Sequence, residues 1–378
     1  MNFSYWEHDA FLRNIDFLVV GSGLVGLNTA LKIKENFPSK RVVVIESGAL
    51  PNGASSRNAG FACFGSVSEL LDDLKTMSEE AVFTLVKKRW DGLQTLRNML
   101  GDEDIGFEPC GGQELFSDDQ KELYETCKNA IPYLNERLAP LIGGAPFEDN
   151  SEQARFGKSP FPFAIFNRME GSIDTGKMIK SLLKKAAEAD ITIINGLKLQ
   201  SFEEHADGVH ITTNHGKLET SHLAVCTNGF AKNHLPAAKV EPARNQVVVT
   251  SPIPDMAIKG TFHVQQGYIY FRNVGDRLLI GGFRHLFKEQ ESTDKLELTD
   301  NVIDTIHQYI STNLLPDTPF SIDFSWSGIM GVGTSKSYIC EKISPRVFCG
   351  IRMGGMGVAL GSLVGQELGA LMARESQT

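Results

Sequence analysis

Three glycines between residues 21 and 26 have the spacing of a turn that binds a dinucleotide. The segment reads Gly21-Ser22-Gly23-Leu24-Val25-Gly26. The first glycine permits a tight turn, the second lets the backbone approach a pyrophosphate, and the third lets the helix pack closely on the strand. Glu46 follows twenty residues after Gly26, where a carboxylate can accept hydrogen bonds from an adenosine ribose. An acidic residue there disfavours a 2′-phosphate, which leaves FAD or NAD rather than NADP.

The elements that must position this turn are present in the required order. Residues 16–20 (DFLVV) predict a short buried strand, residues 27–35 a helix, and residues 41–45 (RVVVI) a second strand that ends at Glu46. The glycine motif alone is a weak signal, but its combination with both strands, the helix and the acidic residue is specific. The helix N-terminus would offer unpaired N–H groups to the phosphates.

A loop of small residues follows Glu46 and has two interpretations. Its candidate cofactor-binding residues are Ser47, Gly53, Ala54, Ser55, Ser56, Arg57, Asn58, Ala59 and Gly60. Their backbone N–H groups and hydroxyls could follow an extended cofactor. Glycine, serine, asparagine and proline also dominate ordinary surface loops, so this segment alone leaves both interpretations open.

Taken together, GSGLVG, VVVIES and GASSRNAGF resemble the FAD-dependent D-amino-acid oxidase superfamily, which includes glycine oxidase, sarcosine oxidase and gamma-glutamylputrescine oxidase. Segments 171–174, 222–229, 240–247 and 355–361 agree with this resemblance in the same order along the chain. TNGF, EPARNQV and GGMGVALGS look most similar to the gamma-glutamylputrescine oxidase branch. The resemblance implies FAD as cofactor and places Thr227, Asn228 and Gly229 in a turn against it. Cys340 and Cys349 are offset from the covalent cysteine of sarcosine oxidase, so we expect non-covalent FAD.

A second glycine-rich turn lies near the C-terminus. Residues 346–351 predict a strand, and Gly354-Gly355-Met356-Gly357 opens a helix through about residue 372, with Val358 and Ala359 in its first turn. A helix N-terminus would stabilise the negative charge that grows at the N1–C2=O edge of a flavin on reduction. The alternative is a glycine-rich helix that serves packing only.

The fold class that follows is α/β: a discontinuous Rossmann-like FAD-binding domain plus an α+β substrate domain with an antiparallel sheet. We expect residues 1–80, 160–230 and 325–378 in the first domain, and 81–159 and 231–324 in the second. Apolar spacing predicts helices over 78–100, 118–142 and 294–312, and strands over 246–250, 267–272 and 277–284, with a hairpin at 273–276. The substrate would bind in the cleft between the domains.

Flavin oxidation of an amine requires mainly orientation from the protein: a C–H bond directed at the flavin, a neutral amine, and a held carboxylate. Strand alternation would place Tyr268, Tyr270 and Arg272 on one face of the substrate-domain sheet. Arg284 and Arg352 are further candidates for binding a carboxylate through two parallel hydrogen bonds. Each of these residues could instead be a surface or purely structural side chain. His263 and His285 are more typical of structural histidines.

The chain departs from the family at residues 333–340, where relatives often carry Asp-x-x-Pro. That loop would lie near the flavin and the substrate, so the substrate is open. No lysine stands clearly where sarcosine oxidase-like enzymes use one in oxygen reduction, so a quinone or a carrier protein could take the electrons instead of oxygen.

Composition excludes several other classes of protein. The chain has 378 residues and a net charge of −9, with dispersed basic residues, which argues against nucleic acid as a partner. The six cysteines form no CxxC pair, so free thiols in a reducing compartment are expected and no metal site is predicted. No signal peptide or transmembrane segment is recognisable, which favours a cytoplasmic protein.

Four functions remain under consideration. The leading one is oxidative deamination, in which an amine or amino acid loses a hydride from the carbon beside nitrogen and the imine is hydrolysed. A flavin-dependent 2-hydroxy-acid or glycerol-phosphate dehydrogenase would use the same fold. An NAD-dependent dehydrogenase is disfavoured by the C-terminal glycine-rich helix. A flavin-binding module without catalysis is the non-enzymatic alternative.

Overall fold

The computed structural model describes residues 3–151 and 159–376. Its strands, in chain order, are β1 (Ile15–Val20), β2 (Val42–Glu46), β3 (Phe61–Ala62), β4 (Gly112–Phe116), β5 (Phe147–Asp149), β6 (Phe163–Asn167), β7 (Gly171–Ser172), β8 (Thr192–Asn195), β9 (Leu199–Glu204), β10 (Val209–Thr213), β11 (Gly216–Val225), β12 (Glu241–Thr250), β13 (Thr261–Val264), β14 (Ile269–Val274), β15 (Arg277–Gly282), β16 (Ile322–Val332), β17 (Ile339–Lys342) and β18 (Val347–Ile351). Its α-helices are α1 (Tyr5–Glu7), α2 (Leu24–Asn36), α3 (Ala54–Arg57), α4 (Val67–Thr76), α5 (Glu79–Leu100), α6 (Asp102–Ile105), α7 (Lys121–Ile142), α8 (Thr175–Glu188), α9 (Asp300–Tyr309) and α10 (Gly357–Glu375).

The first large sheet brings the predicted cofactor segments together. Its strand order is β17-β18-β11-β1-β2-β8, and β18, β11, β1, β2 and β8 run parallel. Apolar side chains of β1 and β2 are buried on both faces, as expected for a central parallel strand covered on both sides. Since carboxyl ends of parallel strands share one edge, the turns after β1, β2, β11 and β18 all meet there.

The second large sheet has the order β16-β12-β15-β14-β13-β4-β6-β5. Its pairs are antiparallel except β13 with β4, which run parallel because β4 enters from a distant part of the chain. The predicted antiparallel sheet is therefore mixed at this one pair. The hairpin predicted at 273–276 is present, with Val274 opposite Arg277. Helix α9 covers one face of this sheet, where Val302 and Ile306 are buried in its core.

The two sheets draw on segments that interleave along the chain. Strands β6 and β16 belong to the second sheet, although the sequence-based boundaries, 160–230 and 325–378, placed β6 and most of β16 with the first. Both strands are partly apolar runs, so their sequences are compatible with either sheet. Their pairing with β4 and β12 places them in the second sheet. The assignment of residues to domains stays a prediction.

The helix predicted over 294–312 begins only at Asp300, because the residues before it are held by a buried ion pair. Arg244 on β12 donates to both carboxylate oxygens of Glu291 at 2.8 and 2.9 Å. Gln246 donates to the same carboxylate and accepts from the backbone N–H of Thr299. These bonds fix residues 291–299 against β12 in a non-helical conformation.

No helix among the described residues is long and apolar enough to cross a membrane.

Thiol reactivity gives a simple test of the packing. Burial raises the pKa of Cys127, Cys340 and Cys349 to about 12, so thiolate is scarce at pH 8. Cys110 is the exposed cysteine. We expect a disulfide reagent at pH 8 to modify Cys110 first in the folded protein and the other three only on unfolding. Absorbance of the released thiol measures this, and a fast phase that survives in the double variant Cys63→Ser/Cys110→Ser would contradict the packing, because Cys63 is also partly exposed.

Candidate active site: a cleft between the two sheets

A cleft of about 930 Å³ lies between the carboxyl edge of the first sheet and one face of the second. This volume falls within the range of pockets that hold a cofactor or drug-sized ligand. The turns after β1, β2, β11 and β18 form one side. Residues of β12, β14 and β16, with the turn between β13 and β14, form the other.

Most of the predicted cofactor-binding residues line this cleft. They are Gly21, Gly23, Leu24, Val25, Glu46, Ser47, Gly53, Ala54, Ser55, Arg57, Asn58, Ala59, Thr227, Asn228, Gly354, Gly355, Met356, Gly357, Val358 and Ala359. The N-termini of α2 and α10 both open onto it, as predicted from the two glycine-rich turns. A pair of helix N-termini at one cleft suits a ligand with negative charge at two places.

Five predicted cofactor residues lie behind the lining and shape it. They are Ser22, Gly26, Ser56, Gly60 and Gly229. Among these five residues, Gly26 has the closest backbone neighbour, because a Cβ there would lie 1.9 Å from the carbonyl oxygen of Gly21. Ser56 donates its hydroxyl to the Pro51 carbonyl at 2.6 Å, which stabilises the turn of helix α3. These contacts stabilise helix α2 and the loop that contains Ser56, and they do not face a ligand.

Glu46 is buried at the end of β2 and its carboxylate is fully hydrogen-bonded. One oxygen accepts from the N–H and the hydroxyl of Ser22 at 3.1 and 2.9 Å. The other accepts from the N–H of Gly48 and the hydroxyl of Ser47 at 3.0 and 3.2 Å. Since the two hydroxyl donors can rotate, they are the partners that a ribose diol would replace.

Polar atoms without partners concentrate at this cleft. Among the described residues, buried side-chain atoms that lack a hydrogen bond include one each from the lining residues Arg89, Thr227, His234, Asn245, His263 and Arg284. Buried polar groups are normally satisfied, so such a cluster indicates a polar ligand that belongs there. Thr227, in the turn after β11, has an orphaned Oγ1, and its Cγ2 methyl would lie 3.8 Å from a Cβ at Gly21 in the turn before α2. The cofactor side of the cleft therefore fits a phosphate-bearing dinucleotide.

The predicted catalytic residues do not all reach the cleft. Tyr268, Tyr270, Arg284 and Arg352 line it, whereas Arg272 does not. Strand alternation does put Arg272 on the same side as Tyr270, but its buried guanidinium donates to the Gly60 carbonyl at 2.9 Å. Arg272 thus fastens the small-residue loop to the second sheet.

Arg352 lines the cleft but is engaged by the backbone. Its Nε donates to the Ser337 carbonyl and its Nη1 to the Lys239 carbonyl, both at 2.8 Å. It also adopts a left-handed φ of 64°, a conformation uncommon outside glycine. Arg352 therefore holds Ser337 in segment 333–340, which departs from the family pattern. Lys336 in that loop forms an ion pair with the buried Asp73 of α4.

Sequence reasoning missed Arg89, a buried residue of α5 that lines the cleft. Its Nη1 donates to the Phe64 carbonyl at 3.0 Å, and its Nε has no partner among the described residues. The signal was available: Arg89 lies at helical spacing within the apolar stripe of Val82, Val86, Leu93 and Leu96. An arginine at such a position is buried, so it requires hydrogen-bond acceptors or a negative charge inside the fold.

Two helix N-termini and unpartnered polar atoms at the edge of a parallel sheet are the features of a protein that binds a dinucleotide. A more particular identity follows from comparison. The chain belongs to the FAD dependent oxidoreductase family (DAO), whose model matches residues 16–371. FAD is therefore its cofactor. Cys340 and Cys349 lie outside the cleft lining, in agreement with FAD held without a covalent bond to either.

Individual proteins show how far the similarity extends. The chain is 21% identical to a probable oxidoreductase, OrdL, of Haemophilus influenzae, over 97% of this chain and 88% of the other. Glycine oxidase from Geobacillus kaustophilus has the same fold, with a TM-score of 0.74, 17% identity, and 95% and 94% of the two chains covered. L-proline dehydrogenase from P. horikoshii has a TM-score of 0.74 at 18% identity, with 96% and 94% covered. These two structures confirm the predicted fold class.

Proposed function

We propose that the chain oxidises an amino acid or a related amine that carries a carboxylate. The hydride leaves the carbon beside nitrogen, the imine is hydrolysed by water, and oxygen or another acceptor takes the electrons. One observation carries this proposal: Arg284 is a cleft cation with almost no protein partner. The names of two similar structures agree with it, since glycine and L-proline both have an amine next to a carboxylate.

The four cleft arginines differ in how fully the protein engages them. Arg57, Arg89 and Arg352 each donate to a backbone carbonyl at 3.0 Å or less. Arg284 has a single long contact, 3.5 Å from Nη2 to the hydroxyl of Ser292, and its buried Nε has no partner among the described residues. A half-buried guanidinium in this condition is suited to a ligand carboxylate, which it can bind through two parallel hydrogen bonds.

Tyrosines beside Arg284 supply an apolar wall and a neutral donor. Tyr268 packs against His285 with ring centroids 4.9 Å apart, next to Arg284 in the chain. Burial raises the pKa of Tyr270, so its phenol keeps its proton at physiological pH. The Tyr270 hydroxyl accepts from Asn245 at 3.1 Å, which leaves its O–H free to donate to a bound substrate.

These residues do what amine oxidation needs from the protein. When bound, FAD supplies the hydride acceptor. Arg284 would hold the substrate carboxylate, and Tyr270 would hold a polar atom of the same molecule, so that its orientation is fixed at two points. The half-buried ring of Tyr270 would exclude water from the reacting carbon.

Matched compounds test the proposal. The holoenzyme is mixed without oxygen with an amino acid, with the amine that lacks its carboxylate, and with the corresponding 2-hydroxy acid, over several side chains. We expect amino acids to remove the absorbance of oxidised FAD at least tenfold faster than the other two. Faster reduction by the hydroxy acids would overturn the proposal in favour of a hydroxy-acid dehydrogenase. Readmission of oxygen then measures whether oxygen is the acceptor.

The role of Arg284 is tested by Arg284→Met. Loss of a hydrogen bond to a charged group costs about 1.5–3 kcal/mol, so kcat/KM for the best amino acid should fall roughly ten- to hundred-fold. The effect should be much smaller for an amine without a carboxylate. Arg277→Met is the matched control, because Arg277 pairs with Asp323 away from the cleft. An equal loss for both kinds of substrate would assign Arg284 to the structure rather than to carboxylate binding.

A further inference from the structure

Three potential metal ligands meet where the second sheet borders the cleft. The thiol of Cys63, a carboxylate oxygen of Glu170 and an imidazole nitrogen of His263 all lie within 4.8 Å of one another. They come from three separate elements: Cys63 follows β3, Glu170 precedes β7, and His263 is on β13. Because β3 and β7 pair antiparallel with Ala62 opposite Gly171, Cys63 and Glu170 face each other one step beyond that pair.

The histidine carries an independent sign that something else belongs at this point. His263 is 8% exposed, and its Nε2 has no hydrogen-bond partner among the described residues. That nitrogen lies 3.5 Å from Oε2 of Glu170, which is an ion pair when the imidazole is protonated, although the contact does not meet the geometry of a hydrogen bond. The other oxygen of Glu170 is already fixed, since it accepts from the N–H of Phe64 at 3.2 Å. A nitrogen, a carboxylate oxygen and a sulfur thus converge on one point without a hydrogen bond among them.

The donor set and the separation both match one kind of metal. Cysteine sulfur, histidine nitrogen and carboxylate oxygen are the ligands of Zn²⁺, and ligand atoms on one tetrahedral zinc lie about 3.5 Å apart. The observed Nε2–Oε2 distance of 3.5 Å has this value already. Since the three ligand atoms lie within 4.8 Å of one another, the thiol needs a movement of no more than about 1.5 Å to complete the set. The carboxylate of Glu69, another cleft-lining residue, adds negative charge nearby, while Arg89 adds one positive charge.

We propose that Cys63, Glu170 and His263 form a Zn²⁺ site at the border of the cleft. Three protein ligands leave one coordination position for water or for a ligand in the cleft, because Cys63 and His263 both line it. Zinc replaces the thiol proton, which passes to water, and no electron is transferred. The site does not depend on which substrate the enzyme oxidises. The proposal departs from the sequence-based expectation that the chain has no metal site.

Zinc content measured without substrate tests the proposal. The holoenzyme is treated with a chelator, exposed to zinc sulfate, desalted, and analysed by mass spectrometry for zinc per chain, with affinity taken from competition against a chromophoric chelator. We expect about one zinc per chain, and at least tenfold weaker binding in Cys63→Ser and in His263→Asn. Cys110→Ser is the matched control, because Cys110 is an exposed cysteine outside the cluster, and it should bind zinc as the unmodified protein does.

Cobalt gives a second readout of the same ligands. Co²⁺ in place of zinc should show a thiolate-to-metal absorption band that is missing in Cys63→Ser. Retained FAD absorbance shows that each variant is folded. Failure to retain zinc, or equal affinity in Cys63→Ser and Cys110→Ser, would overturn the site. Because neither measurement uses turnover, a failed zinc site and a failed assignment of the oxidised substrate give different results.

Discussion

Replacing Gly26 by alanine is expected to abolish FAD retention and to lower the free energy of unfolding by about 3 kcal/mol. A Cβ at this position would lie 1.9 Å from the carbonyl oxygen of Gly21 and 3.2 Å from a methyl carbon of Val19. The first contact is with backbone, which cannot rotate away. Helix α2 would have to move off β1, and its N-terminus would leave the cleft.

Flavin absorbance relative to protein absorbance, and urea unfolding, measure the two effects of Gly26→Ala. Gly144→Ala is the matched control, since among the described residues the only heavy atom within 4 Å of its Cβ would be the Met169 sulfur at 3.8 Å. The control should keep FAD and change the unfolding midpoint little. A Gly26→Ala protein that retains FAD with normal stability would contradict the proposed packing of helix on strand.

Glu291→Gln is expected to lower the free energy of unfolding by about 3–5 kcal/mol, because it leaves the buried Arg244 guanidinium without its counter-charge. The side chains of Arg244 and Glu291 are 6% and 1% exposed. Burial alone would raise the pKa of Glu291, but its bonds to Arg244, Gln246 and Thr299 outweigh burial and lower it. The pair therefore stabilises the fold above the usual carboxyl range, and this contribution is lost as pH falls through the lowered pKa.

Urea unfolding at neutral and at acidic pH tests both parts of this expectation. The gap between the unmodified protein and Glu291→Gln should be large at neutral pH and should shrink at acidic pH. Asp323→Asn, which breaks the more exposed pair with Arg277, should cost about 1 kcal/mol or less. The double variant Arg244→Met/Glu291→Leu should lose less than the single one. Equal effects for Glu291→Gln and Asp323→Asn would rule out the buried pair as a major contributor.

The cofactor half of the molecule was the more predictable part, for a physical reason. A glycine is required where backbone meets backbone, as at Gly26, and the apolar runs of β1 and β2 mark strands buried on both faces. Because these requirements depend on neighbouring residues along the chain, they can be predicted from the sequence. The edge at which four strand ends meet then follows from parallel pairing alone.

The substrate half depends on side chains that meet only after folding. Strand alternation placed Tyr268, Tyr270 and Arg272 on one face, yet only the position of the Gly60 carbonyl decides that Arg272 is engaged away from the cleft. The sequence position of Arg352 suggests an arginine that binds a ligand. In the fold, its guanidinium donates to the carbonyls of Ser337 and Lys239 instead. Cys63, Glu170 and His263 lie roughly 100 residues apart along the chain. No spacing in the sequence therefore predicts that they meet.

The absorption spectrum of the holoenzyme under anaerobic conditions, before and after addition of pooled amino acids and amines, tests the central claim most directly. We predict a yellow protein whose oxidised-flavin absorbance disappears when the pool that contains its substrate is added. The account would be contradicted by flavin that dithionite reduces but that no amine or amino acid reduces. That result would favour a hydroxy-acid dehydrogenase or a flavin-binding module without catalysis.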